Sequence, residues 1–160
     1  MRGAKTFDLQ VEMKQFSTYV FDLDGTLLDT LGDLAASTNF ALRSMGMPER
    51  SIAEVRQFVG NGVRKLIERA VPAACSPELV EQTLDIFKAH YLDHGLDTTA
   101  PYPGVADMLR VLKSRGKNIA VVSNKFYDAT QQLCRHFFPD TVTVAIGERE
   151  GIRKKTAQDI

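Results

Sequence analysis

Three short β-branched runs, separated by stretches of helical periodicity, restrict this chain to a small set of folds. Residues 18–23, 118–122 and 141–146 each read as a buried strand. A helix carrying Val105, Met108, Leu109 and Leu112 and ended by Gly116 precedes the second strand. Another, over 126–137 with Leu133 and Phe137 on one face, precedes the third. Strand, helix, strand, helix, strand is the alternation of a parallel sheet with crossover helices, so the expected class is α/β with a Rossmann-like three-layer core.

The first strand is set apart from the rest by a block that reads as almost all helix. Leu31, Leu34, Ala35, Thr38, Leu42 and Met45 recur at helical spacing up to a stop at Gly46. Ser51 and Glu54 have the spacing of a capping box. Gly60-Asn61-Gly62 breaks the chain before a helix bearing Val63, Leu66, Ile67 and Ala70. Ser76-Pro77 opens one more, with Ser as N-cap and Pro at the first helical position. Pro101-Tyr102-Pro103-Gly104 ends the block as a loop or hinge. The expected organisation is an N-terminal extension or leader at 1–15, a core from 16–29 and 102–160, and a helical insert at 30–101.

Lys plus Arg is 20 and Asp plus Glu is 20, so the net charge is zero. No bulk field draws this chain to nucleic acid or an anionic membrane, and any phosphate it binds needs a local site. With 44% hydrophobic and 25% charged residues it is neither a disordered tail, a fibre nor a coiled coil. No apolar run is long enough to span a bilayer. Cys75 and Cys134 lack the spacing of a disulfide framework or a zinc site, which suits a reducing, cytoplasmic setting.

Ligands in an open parallel sheet bind beyond the carboxyl ends of its strands. Asp22 and Asp24 lie at such an end, with a turn at Gly25-Thr26. Crowded carboxylates call for a cation or a shared proton, and Mg²⁺ serves well, since phosphate and water complete its octahedron. A carboxylate can also attack phosphorus. Asp-Gly alone is ordinary turn chemistry. Ser123-Asn124 ends the second core strand on the same sheet edge, and reads either as a phosphate contact or as a plain helix N-cap. Arg153, Lys154 and Lys155 follow the third strand, as a site cation or as a solvated basic loop. Arg64 and Lys65 either meet the far anionic end of a substrate or face solvent. His90, His94 and His136 read as surface or interhelix residues.

These pieces, in this order, resemble the haloacid dehalogenase superfamily of phosphotransferases. The run from Phe21 to Thr30 is similar to its first motif and Ser123-Asn124 to its second. The helical insert is similar to the cap of its phosphoglycolate phosphatase and β-phosphoglucomutase subclass. Residues 59–70 and 101–105 are similar to phosphoglycolate phosphatase-type members in particular. The resemblance implies a Mg²⁺-dependent phosphatase acting on a small phosphorylated metabolite through an aspartyl-phosphate. Asp22 would be nucleophile and metal ligand. Asp24 would be acid and then base, with its carbonyl on the metal. Gly25, Thr26, Ser123 and Asn124 would contact the phosphoryl group, and Lys155 would be the third-motif lysine. Family members carry Pro-x-Pro-Asp after that lysine; here it is Thr156-Ala157-Gln158-Asp159. The acidic fourth motif has no counterpart before Ile160, so the expectations include a truncated chain, an exposed edge at the first strand, self-association through it, and impaired activity. A pyrophosphatase, a sugar-phosphate mutase and a non-catalytic domain are the alternatives.

Overall fold

The computed structural model describes residues 16–149. The chain opens with β1 (Thr18–Phe21) and, after a tight turn, β2 (Leu28–Asp29). Four helices follow: α1 (Leu31–Ser44), α2 (Ile52–Phe58), α3 (Val63–Ala70) and α4 (Pro77–His94). The chain returns through β3 (Ala100–Pro101), then alternates α5 (Val105–Ser114), β4 (Asn118–Phe126), α6 (Tyr127–Phe137) and β5 (Val144–Glu148).

β1, β4 and β5 form a parallel sheet in the order β1-β4-β5, with Phe21 opposite Val121 and Val121 opposite Ala145. This is the α/β core that the alternation implies. Leu23, Leu109, Ile119, Val121 and Leu133 fill its interior, each at most 1% exposed. β1 lies at the sheet edge, with Val20 62% exposed.

Local signals shape the helical block. Ser51 Oγ accepts the Glu54 amide at 3.3 Å, and the Glu54 carboxylate accepts the Ser51 amide at 2.8 Å. Ser76 caps α4 with Pro77 in its first turn. Leu42, Ile67, Leu84 and Phe87 build an apolar centre shared by α1, α3 and α4. Each such burial contributes about 1.5–3 kcal/mol. Phe126 and Ala129 join this same cluster, so the block is packed onto the end of β4 and the start of α6.

Two features differ from the sequence reading. β4 runs on to Phe126 because β5 keeps pairing with it, Phe126 opposite Glu148, across an irregularity in register. Ser123 and Asn124 are therefore strand residues, and α6 starts after Phe126 with no side-chain cap. The second feature is the antiparallel pair of β2 and β3, Leu28 opposite Pro101 and Asp29 opposite Ala100, where the chain leaves the core and comes back.

Just inside that pair, the buried Asp33 carboxylate accepts hydrogen bonds from four groups. They come from the amides and hydroxyls of Thr98 and Thr99, at 2.5–2.9 Å for the closest contact of each group. Gly32 allows the approach: a Cβ there would stand 2.5 Å from Thr98 Oγ1. Among the described residues, no helix is long and apolar enough to cross a membrane.

Candidate active site

Asp22 and Asp24 come off the end of β1 into a turn built around one carbonyl. Leu23 O accepts the amides of Thr26, Leu27 and Leu28 at 3.0–3.2 Å, and Gly25 N donates to Leu28 O at 2.9 Å. Gly25 adopts φ +74°, the left-handed region that a side chain disfavours. Leu23, Leu27 and Leu28 are buried and lock the turn from below. The polar residues between them are thereby turned toward the sheet edge.

β4 is the hydrogen-bonded neighbour of β1, so its carboxyl end lies beside those aspartates. Its buried face runs Ile119, Val121, Ser123, Lys125 at strict period two. Lys125 is thus carried into the protein, 3% exposed, and its Nζ lies 3.1 Å from Asp24 Oδ1 and 3.0 Å from Tyr91 Oη of α4. Thr30 Oγ1 donates to the same Asp24 oxygen at 2.5 Å. Burial pushes the Lys125 ammonium toward a lower pKa, but Asp24 and Tyr91 outweigh it and hold the group above the ordinary lysine value. Burial in turn raises the Tyr91 hydroxyl, which stays protonated as a partner.

A cavity of about 830 Å³ opens over this edge. Asp22, Asp24, Gly25, Ser123, Asn124 and Lys125 form its floor. The α2–α3 connection, Val59–Gly62 with Val63 and Leu66, forms an apolar roof to which Arg56 adds a cation. Asn124 ties roof to floor, its Nδ2 donating to Gly60 O at 3.2 Å, while its Oδ1 is buried with no hydrogen-bond partner.

Of the residues singled out from sequence, Asp22, Asp24, Gly25, Ser123 and Asn124 are gathered at one cavity. Thr26 is exposed on the turn and does not line it. Arg64 is drawn away: its guanidinium makes a bidentate pair with Glu81 of α4, the longer bond 3.0 Å, and among the described residues Arg56, not Arg64, lines this side of the cavity. Lys155 lies outside the described residues. His90 bonds Ser37 and His94 bonds Asp97, each at 2.9 Å, as interhelix and surface residues. Cys134 is no nucleophile, since burial raises its thiol to about 11. Lys125 and Thr30 are what the sequence reading overlooked. The signal for Lys125 is a lysine in phase with three buried residues of a strand, and it lies beyond Val122, where the β-branched run stops.

The sequence profile of the haloacid dehalogenase-like hydrolases matches residues 19–155. The chain belongs to that family. It is 37% identical over 114 residues to a phosphoglycolate phosphatase of Aquifex aeolicus, covering 71% of this chain and 52% of the relative. To the phosphoglycolate phosphatase of Vibrio cholerae it is 38% identical over 141 residues, 81% of this chain and 62% of the relative. The chain thus spans about half the length of the curated relatives it matches. Among solved structures, one described as a predicted phosphoglycolate phosphatase from Haemophilus somnus superposes with a TM-score of 0.82 at 32% identity, covering 89% of this chain and 67% of that one. As a haloacid dehalogenase-like hydrolase, the chain carries an α/β core that superposes on that solved structure.

Proposed function

We propose that this chain belongs to a phosphatase that hydrolyses a small phosphorylated metabolite, phosphoglycolate first among them, through an aspartyl-phosphate. The carrying observation is the convergence of Asp22, Asp24 and Ser123 on one cavity. An Asp22 carboxylate oxygen attacks phosphorus as the ester P–O bond breaks, and Asp24 supplies the proton to the departing oxygen. Asp24 then accepts a proton from the water that cleaves the acyl phosphate, releasing inorganic phosphate and restoring Asp22. Ser123 and the Asn124 amide hold the phosphoryl oxygens.

Among the described residues, no cluster of three His, Cys, Asp or Glu could hold a metal by itself. Two hard carboxylate residues beside a phosphate pocket nevertheless suit Mg²⁺, which keeps several waters and takes substrate oxygens as ligands. The Asp22 carboxylate and the Asp24 backbone carbonyl would hold it. When bound, it screens the charge between nucleophile and phosphate. The block over residues 30–101 serves as a cap on a core of residues 16–29 and 102–149, and its apolar roof excludes water from the reaction. The two free thiols, Cys75 and Cys134, suit a cytoplasmic setting.

The test is phosphate release from 2-phosphoglycolate with Mg²⁺, run in ¹⁸O-labelled water. Release with one labelled oxygen entering phosphate, and loss of release in Asp22→Asn, is the expected result. Conversion of a sugar phosphate such as glucose 1-phosphate to its isomer, without released phosphate, would point to a mutase. The exposed edge of β1 supports a second reading, pairing with another copy of the chain. A monomeric mass by light scattering at high concentration would remove it.

A further inference from the structure

α4 sends one polar atom into the active-site floor. Tyr91 is 1% exposed, stacks on Phe87 at 5.7 Å and meets Phe126 edge-on at 6.1 Å. A phenylalanine would fill that stack equally well. What the hydroxyl adds is its bond to Lys125 Nζ, and Lys125 in turn meets Asp24 Oδ1. Both donors to the Asp24 carboxylate, Thr30 and Lys125, use Oδ1. Oδ2 makes no hydrogen bond among the described residues, and the side chain keeps 26% exposure at the cavity. One oxygen is pinned and the other is left for chemistry. The lysine's ammonium is itself aimed by a residue of the helical block.

We propose that Lys125 and Tyr91 are positioning residues that fix the Asp24 carboxylate for proton donation. This rests on the phosphatase reading above. As the P–O bond breaks, the bond pair leaves with the ester oxygen, and the proton on Asp24 Oδ2 passes to it.

Leaving groups separate this from a purely structural role. A poor leaving group such as methoxide needs the proton, whereas p-nitrophenolate does not. The experiment compares kcat/KM for methyl phosphate and p-nitrophenyl phosphate in the parent chain, Lys125→Met and Tyr91→Phe. Lys125→Met should lower methyl phosphate hydrolysis about 100-fold, the scale of positioned acid catalysis, with a far smaller loss on p-nitrophenyl phosphate. Tyr91→Phe, which keeps the apolar stack and serves if Lys125→Met does not fold, should shift the ratio the same way by about fivefold. Equal losses on both esters in Tyr91→Phe, or no loss, overturn the positioning role and leave the phosphatase reading standing. A parent chain that releases phosphate from neither ester nor 2-phosphoglycolate overturns the phosphatase reading, and the positioning role with it.

Discussion

Two carboxylates are built into this molecule with opposite finish. Asp33 is buried at the joint where the helical block leaves and rejoins the core, and both of its oxygens are taken by Thr98 and Thr99. Asp24 is pinned through one oxygen, with the other left at a cavity. Burial raises the Asp33 pKa, but the hydroxyl and amide donors outweigh it and hold the carboxyl below its ordinary value, as expected for an ionised acceptor fully used. A charge with every lone pair directed into protein is a fastening. A charge satisfied on one side only is available for reaction. Substitutions at the two places should therefore separate stability from chemistry.

The largest effect belongs to the chemical side. Asp22→Asn should lower kcat/KM for a phosphomonoester by about 10⁴-fold or more, the scale of losing a catalytic nucleophile. Its melting temperature should stay within a few degrees of the parent, because asparagine keeps the size and shape of the side chain. A variant that unfolds instead would break the contrast.

Next comes the joint. Asp33→Ala leaves the amides of Thr98 and Thr99 without their acceptor and should cost about 3–4 kcal/mol. For a chain of this size, that corresponds to a drop of roughly 6–15 °C in melting temperature. Calorimetry checks it, and the activity of the remaining folded molecules below the transition should not change. Loss of activity without loss of stability would move Asp33 to the chemical side. Thr30→Val is smaller and diagnostic of the other class. It removes one donor from Asp24 Oδ1 while keeping the side chain's volume, and should reduce kcat/KM about tenfold with a stability change near 1 kcal/mol.

The same contrast marks what could be read from sequence. The parallel sheet, the helical insert, the Ser51 box and the Pro77 helix start were legible because each rests on local periodicity or capping. The two aspartates were legible because a strand end followed by a glycine turn limits where they can go. Lys125 was not, since its burial depends on β5 extending β4 to Phe126, a pairing between segments about twenty residues apart. Nor was the β2–β3 pair, in which two-residue strands meet across the whole insert. Arg64 shows the reverse failure. A cation beside Gly60-Asn61-Gly62 has the right neighbourhood, but Glu81 on the adjacent helix captures it. Contacts between elements, rather than patterns within them, decided each of these.

The smallest effect lies inside the fastening side and concerns pH. His90 of α4 bonds Ser37 of α1, stacks on Phe40 at 4.0 Å and on His94 at 4.3 Å. Burial, then the neighbouring His94, lowers its pKa below the ordinary value. Between the folded and unfolded values the unfolded chain binds more protons, so stability rises with pH there. This contribution is complete above about pH 6.5, the unfolded histidine value, and is lost as pH falls through the lower folded one. Melting temperatures from pH 7.5 to 5 should therefore fall more steeply for the parent than for His90→Gln. The leaving-group ratio of the two esters should not follow that change, because His90 fastens α1 to α4 and touches nothing at Asp24. A ratio that tracked His90 protonation would show the block's internal packing reaching the acid, and the two carboxylates would no longer be separate in kind.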